Sequence, residues 1–119
     1  MKHFKIEEFE CHCGCGRADM DEEFLINIDA IREEAGFPFV ITSGFRCKEH
    51  NDDIGGAKGS QHLFGKAADI ALAGSRAYVV MAIAKKHNFS GIGIAQKGPH
   101  NKRFIHLDTR DGPLGLWSY

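Results

Sequence analysis

The sequence predicts an α+β fold in which helices pack on one side of a small, mostly antiparallel sheet. Two amphipathic helical stretches and four short apolar or β-branched runs carry that reading, and their order is not a regular strand-helix alternation. A doubly wound sheet would need the regular alternation.

The first helix is read from DEEFLINIDAIREEAG, residues 21–36, where Phe24, Leu25, Ile28 and Ile31 fall at helical spacing. Acids occupy its first turn and Gly36 follows its last. Phe39-Val40-Ile41-Thr42 is a buried strand running out into Ser43-Gly44-Phe45-Arg46, and residues just past a strand end commonly line sites. From Cys47 to Ser60 the density of turn formers predicts a short helix followed by a loop. Ala67 to Leu72 resumes strand character, and Ser75 is placed to cap a second long helix reaching about His87. Gly91–Ala95 and Phe104–Asp108 are two further strands, separated by a polar loop.

At 119 residues the chain suits one domain spanning 1–119, with a Cys-rich N-terminal arm over 1–20. Hydrophobic residues make up 43% and charged residues 26%, an ordinary globular balance. A net charge of −1 gives no basic footprint, so no nucleic-acid partner is expected. The opening MKHFKIEEFE is too charged for a signal peptide, and no apolar run approaches the ~18 residues of a membrane span. A monomer made in the cytoplasm, without a membrane partner, is the expectation. Action outside the cell would then need another export route.

Chemistry concentrates in three places. His62 and Asp69 lie seven positions apart in SQHLFGKAADI, and His106 in FIHLDTR sits on a strand where His106, Asp108 and Arg110 share one face. Zinc accepts imidazole nitrogen and carboxylate oxygen, and a catalytic site keeps three protein ligands with a fourth place for water. A single histidine is more often a surface or hydrogen-bonded group, and Asp108 with Arg110 has the plain reading of a surface ion pair. The cysteines form the third place: Cys11, Cys13 and Cys15 in CHCGCG, and Cys47 alone in GFRCKEH. Three outcomes stand open for them: a structural zinc on all four, one disulfide from the N-terminal three to Cys47, or unbonded thiols buried as small apolar groups.

Together, SGFRCKEHN, GSQHLFGKAADI and FIHLDTR resemble the zinc D-Ala-D-Ala carboxypeptidase family of metallopeptidases, in its compact members. The S-x-H-x-x-G-x-A-x-D pattern falls on Ser60, His62, Gly65, Ala67 and Asp69, and EFECHCGCG resembles the openings of phage and prophage members. The resemblance implies a Hedgehog/DD-peptidase-like fold, one catalytic Zn2+ on His62, Asp69 and His106, and a peptidoglycan stem peptide as substrate. It implies substrate binding by Arg46 and Ser60, with an ion pair as the plain alternative for Arg46. A phage-derived member of endolysin type would reach the wall after holin- or lysis-mediated release.

The family's general base does not carry over. Many members have glutamate three residues before the last ligand, or histidine two before it, where this chain has Arg103 and Phe104. His100 is the first expectation for acid/base work, and Asp108 the second, acting directly or by orienting a ligand. His50 and Asn51 are expected to line the cleft or cap a turn, and Trp117 and Tyr119 to cover the core rather than stack on sugar. A wall-binding or phage structural module that keeps the metal without turnover is the second functional reading. A metal-stabilised interaction domain with no wall partner is a third.

Overall fold

The computed structural model describes residues 1–119. Its centre is a five-stranded sheet in the order β1-β2-β4-β3-β5, formed by Ile41–Ser43 (β1), Ala67–Ile70 (β2), Gly91–Ala95 (β3), Phe104–Asp108 (β4) and Gly115–Ser118 (β5). Every pairing is antiparallel except that of β3 with β5. Three helices accompany it: Glu22–Ala35 (α1), Lys48–Asp53 (α2) and Ser75–Ala84 (α3). The α+β expectation therefore holds. No helix is long and apolar enough to cross a membrane.

Alternation along the strands gives the sheet two different faces. Ala68 and Ile70 on β2, with Ile105 and Leu107 on β4, join Phe24, Ile28 and Ile31 of α1 and Ala77, Val80 and Ala84 of α3 in one core. Each large apolar side chain buried there contributes about 1.5–3 kcal/mol relative to exposure. The intervening residues, Asp69 on β2 and His106 and Asp108 on β4, point to the other face yet are also buried. Buried polar groups on one sheet face need partners, so that face must be a site or a network.

Helix α1 starts as the sequence implies, its Asp21 carboxylate accepting the Phe24 N–H at 3.0 Å. Helix α3 starts differently. Ser75 is its first helical residue and makes no cap; Gly74, at φ 61, occupies the capping position, and its N–H is held by the Gln96 side chain. Strand β1 begins two residues later than expected because Val40 lies before the ladder, its carbonyl accepting from Ala71 N–H, and the pairing is irregular between Ile41 and Ser43. Strand β5 was not expected from the sequence.

The N-terminal segment is tied down by Asp29 of α1, which accepts the backbone N–H of Lys2 at 3.0 Å and of His3 at 2.9 Å. Burial alone would raise the Asp29 pKa, but those donors and the nearby His3 hold it below the ordinary carboxylate value. A carboxyl depressed on folding stabilises the protein above its unfolded pKa, and that stability is lost as pH falls through the folded value. Asp29→Asn is therefore expected to cost about 1 kcal/mol near neutral pH, with the difference from wild type shrinking as the solution is acidified. Urea midpoints of both proteins across that range measure it; a pH-independent difference would show that the charge is not what matters.

Candidate metal centre

One lateral row across the sheet builds the site. Asp69 on β2 stands directly opposite His106 on β4, His106 opposite Gly93 on β3, and Gly93 opposite Trp117 on β5. His62 joins from a 3-10 turn at Gln61–Phe64 just before β2. The Ser60 hydroxyl caps that turn, accepting the His62 N–H at 3.3 Å. Ser60 also lines the cavity, so its hydroxyl is placed first to position His62.

The protons of this cluster can be assigned. His62 Nδ1 lies 2.7 Å from the Gly44 carbonyl, which can only accept, so Nδ1 carries the hydrogen and Nε2 presents a lone pair. His106 Nε2 lies 2.7 Å from Asp108 Oδ2, which likewise accepts, so in the neutral imidazole that a metal needs Nδ1 is the nitrogen left bare. His62 Nε2 and His106 Nδ1 face the same oxygen, Asp69 Oδ1, at 3.3 Å and 3.0 Å. His62 Nε2 has no hydrogen-bond partner although it is buried.

Such a convergence needs a positive charge among the three groups: a proton, since against burial Asp108 and Asp69 raise the His106 pKa, or a metal cation in its place. The three ligand atoms lie within 4.8 Å of one another. For a tetrahedral ion with bonds of about 2.0–2.2 Å, donors should stand roughly 3.3–3.5 Å apart, and the separations from Asp69 are near that. Two imidazoles and a carboxylate match a zinc site that keeps one position open.

The wider surroundings support the same arrangement. Burial would raise the Asp69 pKa, yet hydrogen bonds and charge from His106 and His62 hold it well below the ordinary carboxylate range. Asp108, fully buried, is also held low against burial, first by Arg110 and then by His106. Arg110 grips Asp108 through two nitrogens, Nε at 2.9 Å and the second guanidinium nitrogen at 2.6 Å. This is the carboxylate–histidine pairing that fixes the tautomer and orientation of a metal-binding imidazole. Gly91 and Gly93 make room for it. A Cβ at Gly91 would lie 2.2 Å from Asp108 Oδ1, and one at Gly93 would lie 2.6 Å from the Trp117 indole nitrogen.

Comparison with known proteins now adds to the geometry. The model of the peptidase M15 family matches residues 2–108. The chain belongs to the peptidase M15 family. It is also 33% identical over 93 residues, 76% of its length, to the zinc D-Ala-D-Ala carboxypeptidase of Streptomyces albus G. The matched region makes up 35% of that protein, so the chain corresponds to about a third of its curated relative.

Within this M15 chain the other anticipated residues fall unevenly. Arg46 lines the cavity of about 480 Å³ that holds His62, Asp69 and His106. Its guanidinium donates to Ser43 Oγ at 3.1 Å and Asn51 Oδ1 at 3.3 Å, and lies 3.5 Å from Asp69 Oδ2. Asn51 does not line that cavity; fully buried, it holds Arg46 and donates to the Ala57 carbonyl at 2.9 Å. His50 also lies outside, beside His12.

His100 stands apart. It sits in a 3-10 turn and lines a separate concavity with Pro38, Val40 and Arg76, away from the three converging side chains. The β4 backbone carries the chain from that loop to His106 with Phe104 turned toward the site instead. Trp117 departs from the core-covering expectation, for it covers His106, with ring centroids 5.2 Å apart, while the Arg110 guanidinium lies 4.8 Å from the centroid of the Trp117 ring. Tyr119 is 58% exposed at the cavity mouth. Sequence reasoning placed Arg110 on the face of His106 and Asp108 but missed Trp117 and the two glycines as parts of the same assembly. The alternation in Gly91-Ile92-Gly93-Ile94 was the available signal, since an empty row on one strand face implies that something large lies across it.

Proposed function

We propose that this chain is a zinc metallopeptidase that hydrolyses an amide bond of peptidoglycan stem peptides, as a D-Ala-D-Ala carboxypeptidase or an endolysin-type endopeptidase. The observation that carries it is the convergence of His62 Nε2, Asp69 and His106 Nδ1 on one point, with the outer nitrogen of each imidazole held by its own acceptor. Zinc held there would acidify a bound water toward a pKa of ~7 and polarise a carbonyl.

The chain's own residues supply the rest. His62 and Asp69 hold position from adjoining elements, and Asp108 keeps His106 in the tautomer that offers Nδ1 inward. Arg46, with its fork steadied by Ser43 and Asn51, turns remaining donors toward the cavity, where a substrate carboxylate or carbonyl accepts them in pairs. Trp117 and Phe104 close the sides and keep solvent from the peptide. Arg110 offers a second cationic edge.

The test pairs zinc analysis with product mass spectrometry on defined stem pentapeptides and cross-linked dimers. One zinc at the His-Asp-His site and release of terminal D-alanine, or cleavage at an internal bond, supports the proposal and names the bond. Arg46→Lys keeps the charge but loses the planar fork, and is expected to raise KM about tenfold, the cost of one charge-assisted bond, with zinc content unchanged.

A second reading has its own observation. Apart from Asp69, His62 and His106, no carboxylate or imidazole lines the cavity. A metal-retaining, catalytically weak wall-binding module fits that lack of a ready proton acceptor. Zinc bound by a wild-type chain that pulls down with peptidoglycan yet cuts none of these peptides would decide for it.

A further inference from the structure

Cys11, Cys13, Cys15 and Cys47 bring four thiols together, all four sulfurs within 4.8 Å of one another. The Sγ–Sγ separations are 3.5 Å for Cys11–Cys13, 3.6 Å for Cys13–Cys47 and 3.7 Å for Cys11–Cys47. A disulfide needs about 2.05 Å, and none is present. A tetrahedral zinc with bonds of about 2.3 Å sets its sulfurs roughly 3.8 Å apart. The observed separations fall close to the second requirement.

The backbone is arranged to serve sulfur that carries negative charge. The Cys47 N–H points at Cys11 Sγ at 3.4 Å, and the His50 N–H at Cys47 Sγ, also at 3.4 Å. Gly14 and Gly16, at φ 89 and 75, turn the CHCGCG segment back on itself, and the Cys11 N–H closes the loop on the Arg17 carbonyl at 2.8 Å. Inert burial does not account for the group, because Cys13 and Cys15 are exposed. We propose that these four cysteines bind a structural zinc ion, distinct from the His62, Asp69 and His106 centre. Four thiols lose their protons to solvent and the thiolates share one divalent cation, so affinity rises with pH.

The ion would act as a bolt between two strands of chain far apart in sequence. Its N-terminal ligands begin two residues after Phe9, whose carbonyl accepts the Phe45 N–H at 2.9 Å, and its last ligand follows directly on Arg46. The same segment contains Gly44, the acceptor for His62. The site thus fixes the N-terminal segment against the backbone that supports both. The inference stands without the peptidase reading.

The test uses the full chain, purified under reducing, anaerobic conditions and loaded with zinc, then with cobalt. His62→Ala is expected to keep one tightly bound ion, and its cobalt form to show strong thiolate-to-metal charge-transfer absorption. Cys13→Ser and Cys15→Ser, at exposed positions and checked for folding by circular dichroism, are each expected to lose that absorption and bind one zinc fewer than wild type. Four thiols that react at once with a thiol reagent in zinc-loaded His62→Ala would overturn the proposal. So would an intact mass two hydrogens lower, which marks a disulfide, or cobalt spectra without sulfur bands.

Discussion

Replacing His62 by alanine is expected to abolish hydrolysis and to weaken zinc at the His-Asp-His centre by more than the roughly 100-fold that loss of an orienting partner costs. The side chain supplies a whole ligand, and its Nε2 has no other partner in the protein. The apo protein should also lose about 1–3 kcal/mol of stability, because His62 is buried and its Nδ1–H donates to the Gly44 carbonyl, which is left without that partner. Competition of the zinc-loaded variant against a chelator of known affinity measures the first effect, and urea unfolding of the apo forms the second. Wild-type zinc affinity in this variant would show that the ion, if bound, sits elsewhere.

Asp108→Ala should affect both stability and metal. Asp108 is completely buried and accepts from Arg110 through two nitrogens and from His106 Nε2. Its removal leaves an imidazole and a guanidinium without their acceptor. The expected destabilisation is about 3 kcal/mol, the lower end for breaking a buried pair, because the Arg110 side chain is 34% exposed and can rehydrate. Zinc affinity should fall about 10–100-fold, as His106 is freed to rotate and to exchange tautomers. The two effects separate by measurement: denaturant midpoints report the first, chelator competition the second. Loss of stability with unchanged zinc affinity would assign Asp108 to the fold alone and remove it from the centre.

Much of this was legible in one dimension. The stripe Phe24, Ile28, Ile31 specified α1 because helical periodicity is a local property, and alternation in FIHLD specified which side chains of β4 would share a face. The pairing of His62 with Asp69 and His106 was readable from motif resemblance, and the structure brings their ligand atoms together. The base was not readable in the same way. His100 lies close to His106 along the chain, but the turn that carries it faces another concavity. Proximity in sequence beyond a few residues carries no direction once a loop intervenes.

Strand β5 shows the other limit. Leu114-Gly115-Leu116-Trp117 has neither strong alternation nor an uninterrupted apolar run, and it becomes a strand only because the free edge of β3 offers it hydrogen-bond partners. Its arrival delivers Trp117 onto His106 and explains why β3 must be bare at Gly93.

By itself the sequence determined the fold class, the helices, the four inner and outer strands of the antiparallel ladder, and the residue types that gather for a metal. These depend on periodicity and donor chemistry, which are properties of neighbours along the chain. Tertiary structure alone decided which nitrogens face Asp69, that Asp108 orients rather than faces the cavity, and that Trp117 belongs to the site. Those depend on how separate strands register across a sheet, where a shift of one residue would turn every one of these side chains to the opposite face.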